Sequence, residues 1–148
     1  MTDVHSSDIR RKNMQAIKAQ NTKPELWLRR HLHAAGFRYR VNAKELPGKP
    51  DLVLPKYKAV IFVHGCFWHA HDCHLFKLPA TRTDFWKAKL NGNKNRDQRQ
   101  KALLEKQGWR VLTVWECAIK GKTRIPETEL LKHISSWLKA NTPSRSIP

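Results

Sequence analysis

Between Cys66 and His74 the chain sets two thiols and three imidazoles within nine residues, Cys66-Phe-Trp-His-Ala-His-Asp-Cys73-His74. A tetrahedral zinc takes four nitrogen or sulfur ligands, and short Cys/His spacings in a loop supply them without strain. Cys117 can close such a set from a distance. A disulfide is the rival use of these cysteines, but three is an odd count and cytoplasmic thiols stay reduced. The expected ligands are Cys66, Cys73 and Cys117 with one of His69, His71 and His74. A closed site of this kind would be structural, holding down a loop that has no core of its own.

A second chemistry begins at Pro50-Asp51. An Asp at the mouth of a strand, followed by another buried strand, is the skeleton of a common nuclease arrangement. Hard divalent cations prefer oxygen ligands, and two of them can clamp both sides of an in-line phosphodiester displacement. The second strand, Ile61-Phe-Val63-His64, supplies neither an acid nor a lysine, so the motif alone is weak. Glu25, His64, His69 and Asp97 are the other groups able to shape a magnesium site. A neutral His suits a general base because its ordinary pKa lies near the working pH.

The charge supports a polyanionic partner. Lys and Arg number 29 against 12 Asp and Glu, a net +17 over 148 residues. Residues 1–50 hold 11 basic and 4 acidic residues, and residues 77–110 hold 10 and 3. Residues 51–76 between them are neutral, with 2 of each, and carry Asp51, four of the eight His and two of the three Cys. Basic flanks around a His/Cys/Asp centre predict a grip on phosphates with chemistry in the middle. No apolar run reaches the ~18 residues of a membrane span and no signal-peptide core is present, so a cytoplasmic protein is expected.

The elements that must position these residues are legible in outline. Met14 and Ile17 space one face of a short helix over 8–19. Thr22-Lys-Pro-Glu25 reads as a capping box opening a helix that carries Leu28, Leu32 and Ala35 and stops at Gly36. Strands are predicted over 37–41, 51–54, 59–63 and 109–115. Residues 64–83 read as a functional loop. Helices follow over about 84–90, 93–107 and 127–139. Trp109, Trp115 and Trp137 read as core packing. The order predicts an α/β sandwich around a mixed sheet, with one domain over 1–140, an N-terminal arm over 1–20 and a flexible tail over 141–148.

Phe62-Val-His-Gly-Cys-Phe-Trp-His69, with Lys77-Leu-Pro-Ala-Thr-Arg-Thr-Asp-Phe-Trp86, resembles the very short patch repair endonucleases. The likeness runs from Asp3-Val-His5 and Lys12-Asn-Met14 to Gly108-Trp-Arg-Val-Leu and Val114-Trp-Glu-Cys-Ala118. It implies a restriction-endonuclease-like fold: a mixed central sheet flanked by helices, with one structural Zn²⁺. It also implies catalytic Mg²⁺, two ions, held by Asp51, and His69 as the base that activates water. The zinc ligands are then Cys66, His71, Cys73 and Cys117, and Glu25, His64 and Asp97 hold water ligands or polarise the site. The family usually has Thr where this chain has Val63, whose backbone carbonyl is expected to make the metal contact.

By the same resemblance, Phe67, Trp68 and Trp86 form a wedge that stacks between base pairs beside a mismatch, where unstacking is cheaper. Met14, Lys89 and Asn93 match positions near the mismatched bases, and Lys and Asn are suitable donors to base edges. Arg10, Arg11, Lys12, Arg82 and Arg96 read as phosphate contacts. The implied activity is a strand-specific nick 5′ of the mispaired T in the T:G mismatch left by 5-methylcytosine deamination. Double-stranded DNA carrying that mismatch is the partner. A DNA cytosine methyltransferase and mismatch-repair proteins are functional associates, and a monomer is expected. The competing classes are a non-cleaving zinc module for distorted duplex and a restriction nuclease cutting both strands.

Overall fold

The computed structural model describes residues 23–148. The predicted helix over 8–19, with Arg10, Arg11, Lys12 and Met14, lies outside them. Five strands form one sheet in chain order: β1 (Arg40–Val41), β2 (Leu52–Leu54), β3 (Ala59–His64), β4 (Arg110–Trp115) and β5 (Arg145–Ile147). The β1–β2 and β2–β3 pairs are antiparallel, while β3–β4 and β4–β5 are parallel. The sheet is therefore mixed, as the sequence predicts.

Helix α1 (Lys23–Ala34) precedes β1, α2 (Thr83–Lys106) crosses from β3 to β4, and α3 (Glu116–Ile119) and α4 (Glu127–Lys139) cross from β4 to β5. Strand alternation sorts the core onto two faces. Leu52, Leu54, Ile61, Leu112 and Val114 pack against Leu28 and Leu32 of α1 and Leu130, Ile134 and Leu138 of α4. Val53, Val60, Phe62 and Val111 turn the other way and meet Leu104 of α2. Both faces are covered, which is why the strands read as unbroken apolar runs. Among the described residues, no helix is long and apolar enough to cross a membrane.

Three expectations change. The strand predicted over 37–41 shrinks to Arg40–Val41 because Phe37 closes α1 instead: its N–H donates to Leu32 O at 3.0 Å, one residue after Gly36 turns with φ +96°. The two helices predicted over 84–90 and 93–107 are one, since Asn91-Gly92-Asn93 stays helical within α2. The tail from Asn141 is not frayed throughout. Arg110 donates to Trp137 O and Leu138 O at 3.0 Å and to Thr142 O at 3.3 Å, gathering the end of α4. Val111 N–H then donates to Ser144 Oγ at 2.9 Å, and Ile147 buries itself beside β4.

Candidate active site and metal centre

The parallel register of β3 and β4 sets His64 opposite Trp115. Two residues beyond each, Cys66 and Cys117 meet, although 51 positions separate them. The loop then folds back, His71 N–H donating to Cys66 O at 2.9 Å. This brings one ligand atom each of Cys66, His71, Cys73 and Cys117 within 4.8 Å of one another, with His71 Nδ1 3.5 Å from Cys117 Sγ. All three cysteines are free thiols. Burial pushes the Cys66 and Cys117 thiols above the usual thiol range and lowers the His71 imidazole. Three thiols and a neutral imidazole this close suit a soft divalent cation, which would stabilise the thiolates. His74 stands apart, with Nδ1 3.4 Å from Thr123 Oγ1.

His69 belongs to a different group. Its Nδ1 lies 2.5 Å from Asp97 Oδ2, and its ring stacks on His64 at 3.8 Å with 5° between planes. Burial, and then the neighbouring His69, holds the His64 imidazole down at about 3. Its Nδ1 is buried with no hydrogen-bond partner.

Asp51 is buried at the entrance to β2, and Val63 N–H donates to its Oδ2 at 2.6 Å. The Val63 amide thus anchors the Asp51 carboxylate. Glu25 is only 3% exposed, and Arg29 Nη2 sits 3.4 Å from its Oε2. The capping-box reading of Glu25 therefore misses its burial. Desolvation, and then the Glu25 carboxylate, raise Asp51 to about 7. Two buried carboxylates, Asp51 accepting from an amide and Glu25 from a guanidinium, are an oxygen donor set that fits a hard divalent cation.

One helix registers the loop. Trp86, Asn93 and Asp97 recur at helical spacing along α2 and meet consecutive loop residues. Trp86 packs on Phe67 and Trp68 at 5.6 and 5.9 Å between ring centroids, Asn93 Nδ2 donates to Trp68 O at 3.0 Å, and Asp97 holds His69. Trp68 remains 38% exposed. Arg82, Lys89 and Arg96 are exposed on or beside the same helix, with Arg82 over the Phe85 ring at 4.3 Å.

Sequence reasoning missed several participants. Trp115 is no core residue: it stacks on His71 at 4.0 Å and meets His64 edge-on at 5.2 Å, while its Nε1–H donates to Ser146 Oγ. Its place two residues before Cys117 was the available signal. Phe76 and Phe85 extend the aromatic cluster. Arg29 follows Glu25 by four, a helical pairing distance. Glu116 Oε1 accepts the Cys66 N–H at 3.3 Å. By contrast, Trp137 is buried in the core and Trp109 packs against the opposite-face cluster.

Comparison with known proteins gives this geometry a family. Residues 2–75 match the family model described as DNA mismatch endonuclease Vsr. The chain is 45% identical to the DNA mismatch endonuclease Vsr of Escherichia coli (strain K12), over 99% of this chain and 94% of that protein. It is 48% identical to the type II nicking enzyme V.XorIIP of Xanthomonas oryzae pv. oryzae, over 80% and 88% of the two chains. A similar likeness, 47% over 82% and 87%, links it to the type II nicking enzyme V.NmeAIP of Neisseria meningitidis. With a Cys/His centre, a paired histidine and an aromatic cluster on one loop, the chain belongs to the Vsr family of DNA mismatch endonucleases.

Proposed function

We propose that this protein is a magnesium-dependent endonuclease, on a restriction-endonuclease-like fold, that nicks one strand of duplex DNA 5′ of the mispaired T in a T:G mismatch. It would thereby start very short patch repair of deaminated 5-methylcytosine. The observation that carries the proposal is the shared register of Phe67–Trp68 and His69 on α2, which ties an exposed aromatic wedge to a carboxylate-held imidazole.

Asp51, with the Val63 carbonyl, would hold Mg²⁺, two ions in all, and Glu25 would accept hydrogen bonds from water around them. Bound there, magnesium supplies electrophilic polarisation of the scissile phosphate and a more acidic water. Asp97 Oδ2 accepts from His69 Nδ1, leaving His69 Nε2 with the lone pair that takes the proton of the attacking water. His64, held neutral, backs the His69 ring by stacking and adds no competing positive charge. One structural zinc at Cys66, His71, Cys73 and Cys117 would fix the loop that presents His69.

Phe67, Trp68 and Trp86 would enter the base stack, with Lys89 beside the mismatched bases. Asn93 supports the wedge through Trp68 O. Arg82 and Arg96 would bind phosphates, as would Arg10, Arg11 and Lys12 of the N-terminal arm, with Met14 near the mismatched bases. The protein acts as a monomer in the cytoplasm, alongside a cytosine methyltransferase and mismatch-repair proteins. The test is a nicking assay on T:G duplexes with varied flanks, with Mg²⁺ and with chelator. Magnesium-dependent nicking that Asp51→Ala abolishes without loss of DNA binding supports the proposal. Binding without nicking in every context gives the function to a non-cleaving module.

A further inference from the structure

His64, His69 and Asp97 form a second ligand set, made of residues other than the four of the Cys/His centre. Each offers one ligand atom, and these atoms lie within 4.8 Å of one another. All three side chains line a cavity of about 360 Å³, with Trp115, Lys94 and Gln98 on its other walls. A second observation points to a ligand there. His64 Nδ1 is buried and makes no hydrogen bond, and a bare polar atom of that kind is destabilising until something satisfies it.

Two imidazoles and one carboxylate suit zinc, which takes nitrogen and oxygen ligands at ~2.0–2.2 Å and leaves a fourth position open. Magnesium prefers an all-oxygen octahedron and keeps its waters, so it has little use for this group. We propose that His64, His69 and Asp97 bind a second zinc ion, and that its binding inhibits nicking. The inhibitory half of the proposal rests on the reading of His69 as the base. A ring nitrogen whose lone pair is given to zinc cannot take a proton from water, and an Asp97 drawn to the metal no longer orients His69. The thiolate centre, with four ligands, fills first. Zinc dependence is therefore biphasic: the first equivalent stabilises the protein and the second silences it.

The experiment titrates Zn²⁺ into protein already carrying one zinc, in Mg²⁺ buffer, by calorimetry with elemental analysis, and measures nicking in parallel. Wild type should take up a second equivalent in the micromolar range, with nicking falling over the same range. Co²⁺ added instead should give ligand-field bands free of thiolate-to-metal charge transfer. Asp97→Asn and His64→Gln should weaken the second site by about tenfold or more while keeping the first zinc. Absence of a second equivalent overturns the proposal. So does a second equivalent that both variants bind as wild type does, which would put the inhibitory ion elsewhere. A protein that nicks nothing refutes the role of His69, while calorimetry still decides whether the site exists.

Discussion

The carboxylate corner at Asp51 and the imidazole pair at His64 answer burial in opposite directions. Asp51, crowded by Glu25, holds its proton up to about 7, whereas His64 beside His69 gives its proton up until about 3. Burial favours the neutral form of each, which Asp51 reaches by keeping a proton and His64 by losing one. The difference lies in what each must do to meet a cation: the Asp51 carboxyl must first give up its proton, while the His64 imidazole is already neutral.

The largest effect should come from breaking the carboxylate end. Asp51→Asn should lower nicking by ~10³-fold or more, measured by single-turnover kinetics on a T:G duplex. At the other end, Asp97→Asn should cost about 10²-fold and leave DNA affinity unchanged in a binding titration.

Removing the metal centre should damage the imidazole end more than the carboxylate end. Cys117→Ser should lose zinc by elemental analysis and several kcal/mol of stability in denaturant unfolding, because the loop that carries His69 has no other anchor of that strength.

The opposite shifts make a sharper test. A group whose folded pKa is raised contributes stability that is complete below about pH 4 and is lost as pH climbs to about 7; that is Asp51 without its cation. A group whose folded pKa is depressed, such as His64, contributes stability present above about pH 6.5 and lost on acidification towards 3. Between pH 5 and 6.5 the two slopes oppose, each about 1.4 kcal/mol per pH unit. Magnesium-free Asp51→Asn protein should therefore gain stability with rising pH relative to wild type, and His64→Gln should lose it. Parallel profiles in all three would contradict the assigned shifts. The smallest effect is expected at Trp115→Leu, about tenfold or less in nicking with zinc retained, since Trp115 touches both clusters but holds neither alone.

Much of this arrangement was legible in the sequence where a residue's type alone restricts its use. The Cys66–His74 run announced a Cys/His ligand set, and the apolar run at 59–63 announced a buried strand. What was hidden depended on distant partners. Nothing local says that His64 lies opposite Trp115, yet that register brings Cys66 to Cys117. Asn91-Gly92-Asn93 looks like a break, but contacts from Trp86, Asn93 and Asp97 to one loop tie both halves of α2 to the same partner. Residues 141–148 look frayed until Arg110 is seen collecting the carbonyls that turn the chain into β5. Glu25 looks like a cap until its burial beside Arg29 is known.

The most direct measurement is strand-resolved, single-turnover cleavage of a T:G duplex and its T:A counterpart, each strand end-labelled, with Mg²⁺ present. The account predicts one nick, in the strand carrying the mispaired T and on its 5′ side, with the T:A duplex left essentially intact. Equal cutting of both strands, or equal cutting of matched and mismatched duplex, would contradict it.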